Sequence, residues 1–348
     1  MAGEDASDSS CLSAYICLSV CMQESLVSDN NSSYVPEHIE PPPIFAWPPR
    51  PKETFVWLTV GIMVPWGLFW IAVAFAFWLF LTPDMTTMQS FSLTWVGQLW
   101  LRNALLLTLV AGGLHWWLYI RKAQHADTKF TSRWLAQDSA KFLWRDQVLD
   151  NVTFSVVSGV TVWTLYEACT YWWYANGFVA AVGILEAPVY FIATLWGVFF
   201  WSTLHFYLNH RLLHTNALYE IAHERHHRNV VTGPWSGISM HPIEHAIYFS
   251  VFLLWWVVPV HPVIIILTGL FQGVSPAVSH SGFDYVRLSD RWRIPAGDNF
   301  HNLHHRFFRV NYGNSIVPMD RVFDTWNSGS ADDMQKMKSR FAKESGQQ

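Results

Sequence analysis

The stretch "TFVWLTVGIMVPWGLFWIAVAFAFWLFL", residues 54–81, holds no charged side chain over a length that crosses a bilayer. A spanning helix needs about 20 mostly apolar residues, so the stretch reads as a transmembrane helix and the chain as a membrane protein. The composition agrees. Of 348 residues, 51% are hydrophobic, 16% aromatic and 14% charged, where a soluble domain carries about a quarter charged. The 21 tryptophans fit a chain that meets the membrane–water boundary. A net charge of -4 leaves no basic footprint for nucleic acid.

Working outward, a second apolar run extends from about Leu99 to Ile120, with Arg102 near its start placed to snorkel, and stops at Arg121 and Lys122. A third, Val152 to Tyr174, encloses Glu167, and a fourth runs from Ala187 to Leu208. The block from Ala246 to Phe271 contains Pro259 and Pro262. It is too short for two crossings, which need about 40 residues, and reads as a re-entrant hairpin broken at the prolines. The expected fold is an all-α integral membrane protein with about four transmembrane helices plus that hairpin. A cytoplasmic helical cap rich in histidine would hold a di-metal site.

The expected organisation is a tail over 1–45, transmembrane helices over 46–200, a histidine-rich domain over 201–326 that includes the hairpin 246–271, and a C-terminal tail over 327–348. The loop between Arg121 and Asp150 carries six lysines and arginines, which the positive-inside rule puts in the cytoplasm. Counting spans from there, the N-terminal tail and everything after Leu208 share that face. The tail is rich in Ser, Asp, Glu and Pro and reads as disordered. Its Cys11, Cys17 and Cys21 lack a Cys-x-x-Cys pair and read as free thiols rather than a zinc site. The last stretch reads as a short surface-lying helix without catalytic content.

Thirteen of the 16 histidines fall between His205 and His305, and they are spaced. His210 and His214 form H-x-x-x-H; His223, His226 and His227 form H-x-x-H-H; His301, His304 and His305 repeat it. His241 sits in "HPIEH" and His280 in "HSGFD". On a helix, positions i, i+3 and i+4 share a face, so each H-x-x-H-H presents three imidazoles from one surface. Four or so donors close one metal site, so about ten imidazoles suit two ions. The expected partition gives the first and second histidines of each H-x-x-H-H to one metal and the third to its neighbour, with His210 and His214 split between them. Imidazole suits zinc, copper, iron and nickel alike. Glu220, Glu224 and Glu244 are the nearby acids, expected to support the ligands rather than bind metal. His115, His125 and His261 have no partner at ligand spacing and read as structural.

The ordered run "HRLLH", "HERHH", "HPIEH", "HSGFD" and "HNLHH" followed by "NYG", over roughly residues 200–326, resembles the membrane-bound fatty acid hydroxylase and sterol desaturase superfamily. "HPxE" and "HSGxD" are similar to the sterol C4-methyl oxidase members. The resemblance implies an oxygen-dependent, non-haem di-iron oxidoreductase, with O2 as co-substrate and zinc able to replace iron on purification. It makes His210, His214, His223, His226, His227, His241, His280, His301, His304 and His305 the metal ligands, with His245, His205 and Glu244 as further ligand or supporting positions. His205 stands where family members often carry an acid.

The reaction implied is hydroxylation or desaturation at an unactivated carbon of a sterol or fatty-acyl lipid that arrives from the bilayer. Neither a cytochrome b5-like segment nor a Gly-x-Gly-x-x-Gly motif is present. Electrons are therefore expected from a separate cytochrome b5, ferredoxin or reductase, which Arg225, Arg228, Arg306 and Arg309 could receive, as they could a lipid headgroup. The membrane would be endoplasmic reticulum or bacterial inner membrane, with the site on the cytoplasmic face. The alternative is a histidine-rich metal transporter, sensor or structural zinc protein without turnover. Transport would place histidines along the spans, whereas here they follow them.

Overall fold

The computed structural model describes residue 34 and residues 36–344. The cysteine trio and most of the expected tail lie outside the described residues. Four long helices come first: α1 (Pro51–Phe80), α2 (Leu93–Ile120), α3 (Gln147–Ala175) and α4 (Pro188–Leu213). Helix α5 covers 216–227 and α6 covers 242–256. After a turn, α7 (Pro262–Ser279) follows. A two-stranded antiparallel hairpin, β1 (Tyr285–Arg287) and β2 (Arg293–Pro295), then precedes α8 (Asn299–Phe307) and α9 (Ala331–Glu344).

Among the described residues five helices are long and apolar enough to cross a membrane, α7 as well as α1–α4. Its position differs from theirs. In α7, 78% of the most apolar stretch is buried inside the protein, against 28–39% for the other four, so α7 is the central post and the rest turn a broad face outward. Residues Val263 to Leu270 are buried without exception. Pro262 occupies the first turn, where its missing N–H costs nothing, and the His261 side chain accepts from the Val263 amide. Within a bilayer, apolar burial drives helices together weakly, and close van der Waals packing at small residues takes its place. Gly273 of α7 fills that role against Trp163 of α3. A side chain at Gly273 would meet its ring at 2.6 Å, so glycine at this position lets α3 and α7 approach.

Helix α1 is broken at Val64, whose backbone is extended (φ -106°, ψ 128°) just ahead of Pro65, the residue that α-helical continuation disfavours before proline. Arg102 does not snorkel. It is 6% exposed and donates to Glu167 Oε1 at 2.5 Å, while Asn103 Nδ2 donates to Glu167 Oε2 at 3.0 Å and to Thr164 at 3.2 Å. Each span contributes one charge to this pair, so neither is left unpaired in the apolar bundle.

The C-terminal helix lies on the surface of the cap with one face buried. Met337 and Phe341 of α9 pack against Leu303, Phe307 and Val310, backing the face of α8 that carries no histidine. The chain ahead of α1 also lies on this cap: Tyr34 donates to Asp284, and the Ile39 amide donates to Ser328 O at 3.1 Å.

Candidate metal centre

Three helices and one helix end supply the histidines. The last turns of α4 present His210 and His214, α5 carries His223, His226 and His227, His280 directly follows α7, and α8 carries His301, His304 and His305. Helix α8 is fixed at both ends. Asp298 accepts from the Phe300 amide at 2.9 Å as its N-cap, and Phe308 ends it in the left-handed region (φ 61°), its ring centroid 4.8 Å from that of His227.

Nine of the ten expected ligands converge in two groups. His210, His214, His223, His227 and His304 form one; His226, His280, His301 and His305 form the other; within each, one ring nitrogen per residue lies within 4.8 Å of the rest. In the first, His214 Nε2 is 3.1 Å from the Nε2 atoms of His223, His227 and His304. In the second, His305 Nε2 is 3.2 Å from His301 Nε2 and 3.3 Å from His280 Nε2. The groups adjoin, with the His227 and His305 ring centroids 5.1 Å apart.

The expected partition is overturned. His223 pairs with His227 and His301 with His305, while the middle residues, His226 and His304, cross to the other group, and His210 and His214 stay together. Helical geometry accounts for it. At 3.6 residues per turn, i+4 is rotated about 40° from i, whereas i+3 falls about 60° to the other side. The i and i+4 imidazoles therefore share a target and the i+3 ring leans toward its neighbour.

His241 is in neither group. It precedes Pro242 at the start of α6, where its Nδ1 accepts from the Ile243 amide at 3.3 Å. His245 bridges Ser158 Oγ (2.9 Å) and Ile238 O (2.9 Å). His205 contacts Ser250 Oγ at 2.9 Å and Asn209. Glu244 reaches His223 Nδ1 at 2.7 Å. The "HPIEH" box thus supports the cluster from outside. Glu220 and Glu224 are exposed.

Sequence reasoning did not anticipate the backbone acceptors. His210 Nδ1 donates to Tyr312 O at 2.5 Å, His304 Nδ1 to Val310 O at 2.6 Å, and His280 Nδ1 to Pro276 O at 3.0 Å. The "NYG" run positions the first two carbonyls. Asn311 donates to Phe300 O and Asn327 O at 3.0 and 2.9 Å, and Asp320 accepts from the Tyr312 and Gly313 amides at 2.9 and 2.8 Å. An N–H committed at Nδ1 leaves the Nε2 lone pair for the cluster interior.

Burial holds these rings neutral. It pushes His214, His223, His226, His227, His301 and His305 well below the ordinary histidine range, with the neighbouring imidazoles adding to the effect. It brings His304 to about 3 and His280 to about 4. Burial pushes the Glu244 carboxyl upward. Lone pairs facing one another in a dry space are unfavourable without a cation between them. Among the described residues His210 Nε2 is buried with no hydrogen-bond partner, and so are the Nδ1 atoms of four other cluster histidines. The donor set therefore fits two late first-row transition metals, five imidazoles for one and four for the other.

A cavity of about 340 Å³ meets the second group at His226, His280 and His301. Trp57, Trp66 and Trp70 of α1, Phe199 and Phe206 of α4, and Phe271 of α7 wall it, and among the described residues its lining holds Asp298 and no Lys or Arg. Trp66 Nε1 donates to Pro295 O at 2.7 Å, tying the break in α1 to the β-hairpin over the site. The four arginines expected to dock a donor are engaged nearby. Arg225 pairs with Asp150 at 3.2 Å and lies over Phe154, Arg228 with Glu224 at 3.4 Å, Arg309 with Glu344 at 2.6 Å, and Arg306 lies over Phe307.

Residues 194–325 match the family model described as fatty acid hydroxylase. The chain is 29% identical to a Delta(7)-sterol 5(6)-desaturase of Eremothecium gossypii over 40% of its own length and 36% of that protein. It is 32% identical to methylsterol monooxygenase 1 of Danio rerio over 36% of its length and 43% of the relative. A very-long-chain aldehyde decarbonylase of Arabidopsis thaliana is 27% identical over 54% of the chain and 29% of its own length. The match thus spans less than half the length of each of these relatives. No solved structure matches.

Proposed function

We propose, on the match of residues 194–325 to the fatty acid hydroxylase model, that the protein is an oxygen-dependent membrane lipid hydroxylase or desaturase with two irons held by the nine clustered histidines. The carrying observation is the pair of adjoining, neutral histidine groups, one of which borders an aromatic cavity. Bound iron would supply dioxygen activation and hydrogen abstraction from an unactivated carbon.

The protein's own residues do the rest. The Nδ1–H bonds of His210, His280 and His304 to backbone carbonyls and the Glu244 contact to His223 fix the rings, so Nε2 faces the metals before they arrive. The tryptophans and phenylalanines of α1, α4 and α7 exclude water from the space beside the second group and orient a lipid chain there. Histidines gathered at one end of the bundle, rather than along the spans, favour turnover over metal transport. The active face is cytoplasmic, the substrate is a sterol or fatty-acyl lipid from the bilayer, and a separate electron donor docks on the cap.

The test is a lipid profile by mass spectrometry of cells expressing the wild type or His226→Ala at equal levels, in a host whose own donors support a methylsterol monooxygenase. The expected result is a lipid gaining one oxygen or losing two hydrogens in the wild type alone. Identical profiles in that host would overturn the oxygenase reading.

A further inference from the structure

The cavity beside the four-histidine group is lined by apolar side chains, by His226, His280 and His301, by the Asp298 carboxylate, which is committed to the Phe300 amide, and by a few hydroxyl and amide side chains, several of them already bonded. Ser275 Oγ donates to Phe271 O at 2.6 Å, Ser279 Oγ to Pro276 O at 3.3 Å, and the Tyr248 hydroxyl to Gln272 O at 2.8 Å. Ser202 differs. It is 1% exposed, and among the described residues its Oγ has no hydrogen-bond partner, although it lines the cavity. The next residue on the same helix, Thr203, satisfies its hydroxyl on Phe199 O at 2.8 Å, the usual outcome for a helical hydroxyl in an apolar setting. A buried hydroxyl left without a partner costs free energy, and in this position it costs it next to the space where a ligand would lie.

Position gives the hydroxyl a distance from the chemistry. Ser202 stands one helical turn before Phe206, whose ring centroid is 5.7 Å from that of His301. With about 6 Å of rise over that turn, Ser202 lies on the order of 10 Å from the second group. Charge narrows the partner. Among the described residues the lining has no Lys or Arg and carries the Asp298 carboxylate, so a carboxylate or phosphate would find no counter-ion there, which favours an uncharged oxygen opposite Ser202.

We propose that Ser202 is the polar anchor of the substrate: its hydroxyl bonds an uncharged hydroxyl or carbonyl oxygen of the lipid, selecting oxygen-bearing lipids over matched hydrocarbons and setting which carbon reaches the four-histidine group. The proposal rests on the reading of this cavity as the substrate site. Such selection is strong where a site is built to bond a substrate oxygen, because the analogue without it leaves the protein group unpaired. A contribution of about tenfold matches one neutral hydrogen bond.

The test is equilibrium binding of two probes, cholesterol and 5-cholestene, which share a skeleton and differ in one hydroxyl, to detergent-purified full-length wild type, Ser202→Ala and Ser202→Thr. Metal content is measured on each preparation and the lipid profile on the same cells. The wild type is expected to prefer cholesterol by about tenfold, Ser202→Ala to lose that preference with metal content unchanged, and Ser202→Thr to keep it. A preference that survives in Ser202→Ala, or its absence from the wild type, overturns the anchor even if lipids are still oxidised in cells. Identical cellular lipid profiles for wild type and His226→Ala would instead overturn the oxygenase reading, which the binding ratio does not measure.

Discussion

The two histidine groups draw on the same two H-x-x-H-H boxes, yet they border different surroundings. The second, His226, His280, His301 and His305, is buried throughout and meets the cavity. The first is closed by aromatic rings instead: Tyr312 lies 4.8 Å and Tyr219 5.5 Å from His214 between centroids. Arg211 covers the outer side of Tyr312 at 4.6 Å, and His214 itself is partly exposed. One group looks into the bundle and the other toward the surface of the cap. A chain that repeats a ligand motif can in this way give two metals unlike environments, because each box sends its middle histidine across.

Ligand removal breaks this comparison most directly. His301→Ala is expected to empty the second group and His304→Ala the first, each taking metal content from two equivalents to about one, and each lowering lipid oxidation by at least about a hundredfold. Metal analysis beside the lipid profile checks both. If either substitution released both metals, or the partition ran first-with-second along each box, His301→Ala and His304→Ala would deplete the same site. Next in size is Glu244→Gln, which touches only the first group through His223. A support of this kind is worth roughly 10–100-fold in metal affinity, so chelator titration should release one metal earlier and leave the other as in wild type.

Proton linkage acts on both groups together. The clustered histidines have folded-state pKa values below the ordinary value, so the unfolded chain takes up protons below about pH 6.5 that the native protein refuses. The stability tied to them is present above that pH and is lost as pH falls toward the lowered values. Metal-free protein is thus expected to show a Tm that drops between about pH 7.5 and pH 5.5. A flat profile over that range would mean that the rings are not held neutral by burial.

What the sequence makes legible follows from which interactions are local. The spans are legible because about 20 apolar residues in a row have one destination, and the gathering of the histidines because helical spacing fixes a shared face. The division of those histidines between two groups is not legible from a shared face alone, because i+3 and i+4 fall on opposite sides of i. Arg102 and Glu167 stand 65 residues apart, so nothing local joins them, although each is the lone charge in the core of its span. The carbonyls of Pro276, Val310 and Tyr312 carry no sequence signal at all, since every residue has a carbonyl and only the fold aims it.

His241 is the smallest test and separates a box by spelling from a box by geometry. "HPIEH" has the look of a ligand motif, yet a proline at the first helical position makes the preceding residue the cap, and His241 duly accepts from the Ile243 amide. The same dipeptide recurs at His261 and Pro262, where His261 accepts from the Val263 amide at 3.2 Å. Two His-Pro steps start two helices in the same way, and only one of them sits inside a histidine-rich run. His241→Ala is therefore expected to cost about 1 kcal/mol of stability as a lost cap and to leave both metals bound. His241→Asn, which can cap equally well, should recover the loss. Depletion of one metal by both substitutions, measured on folded protein, would instead return His241 to the ligand set.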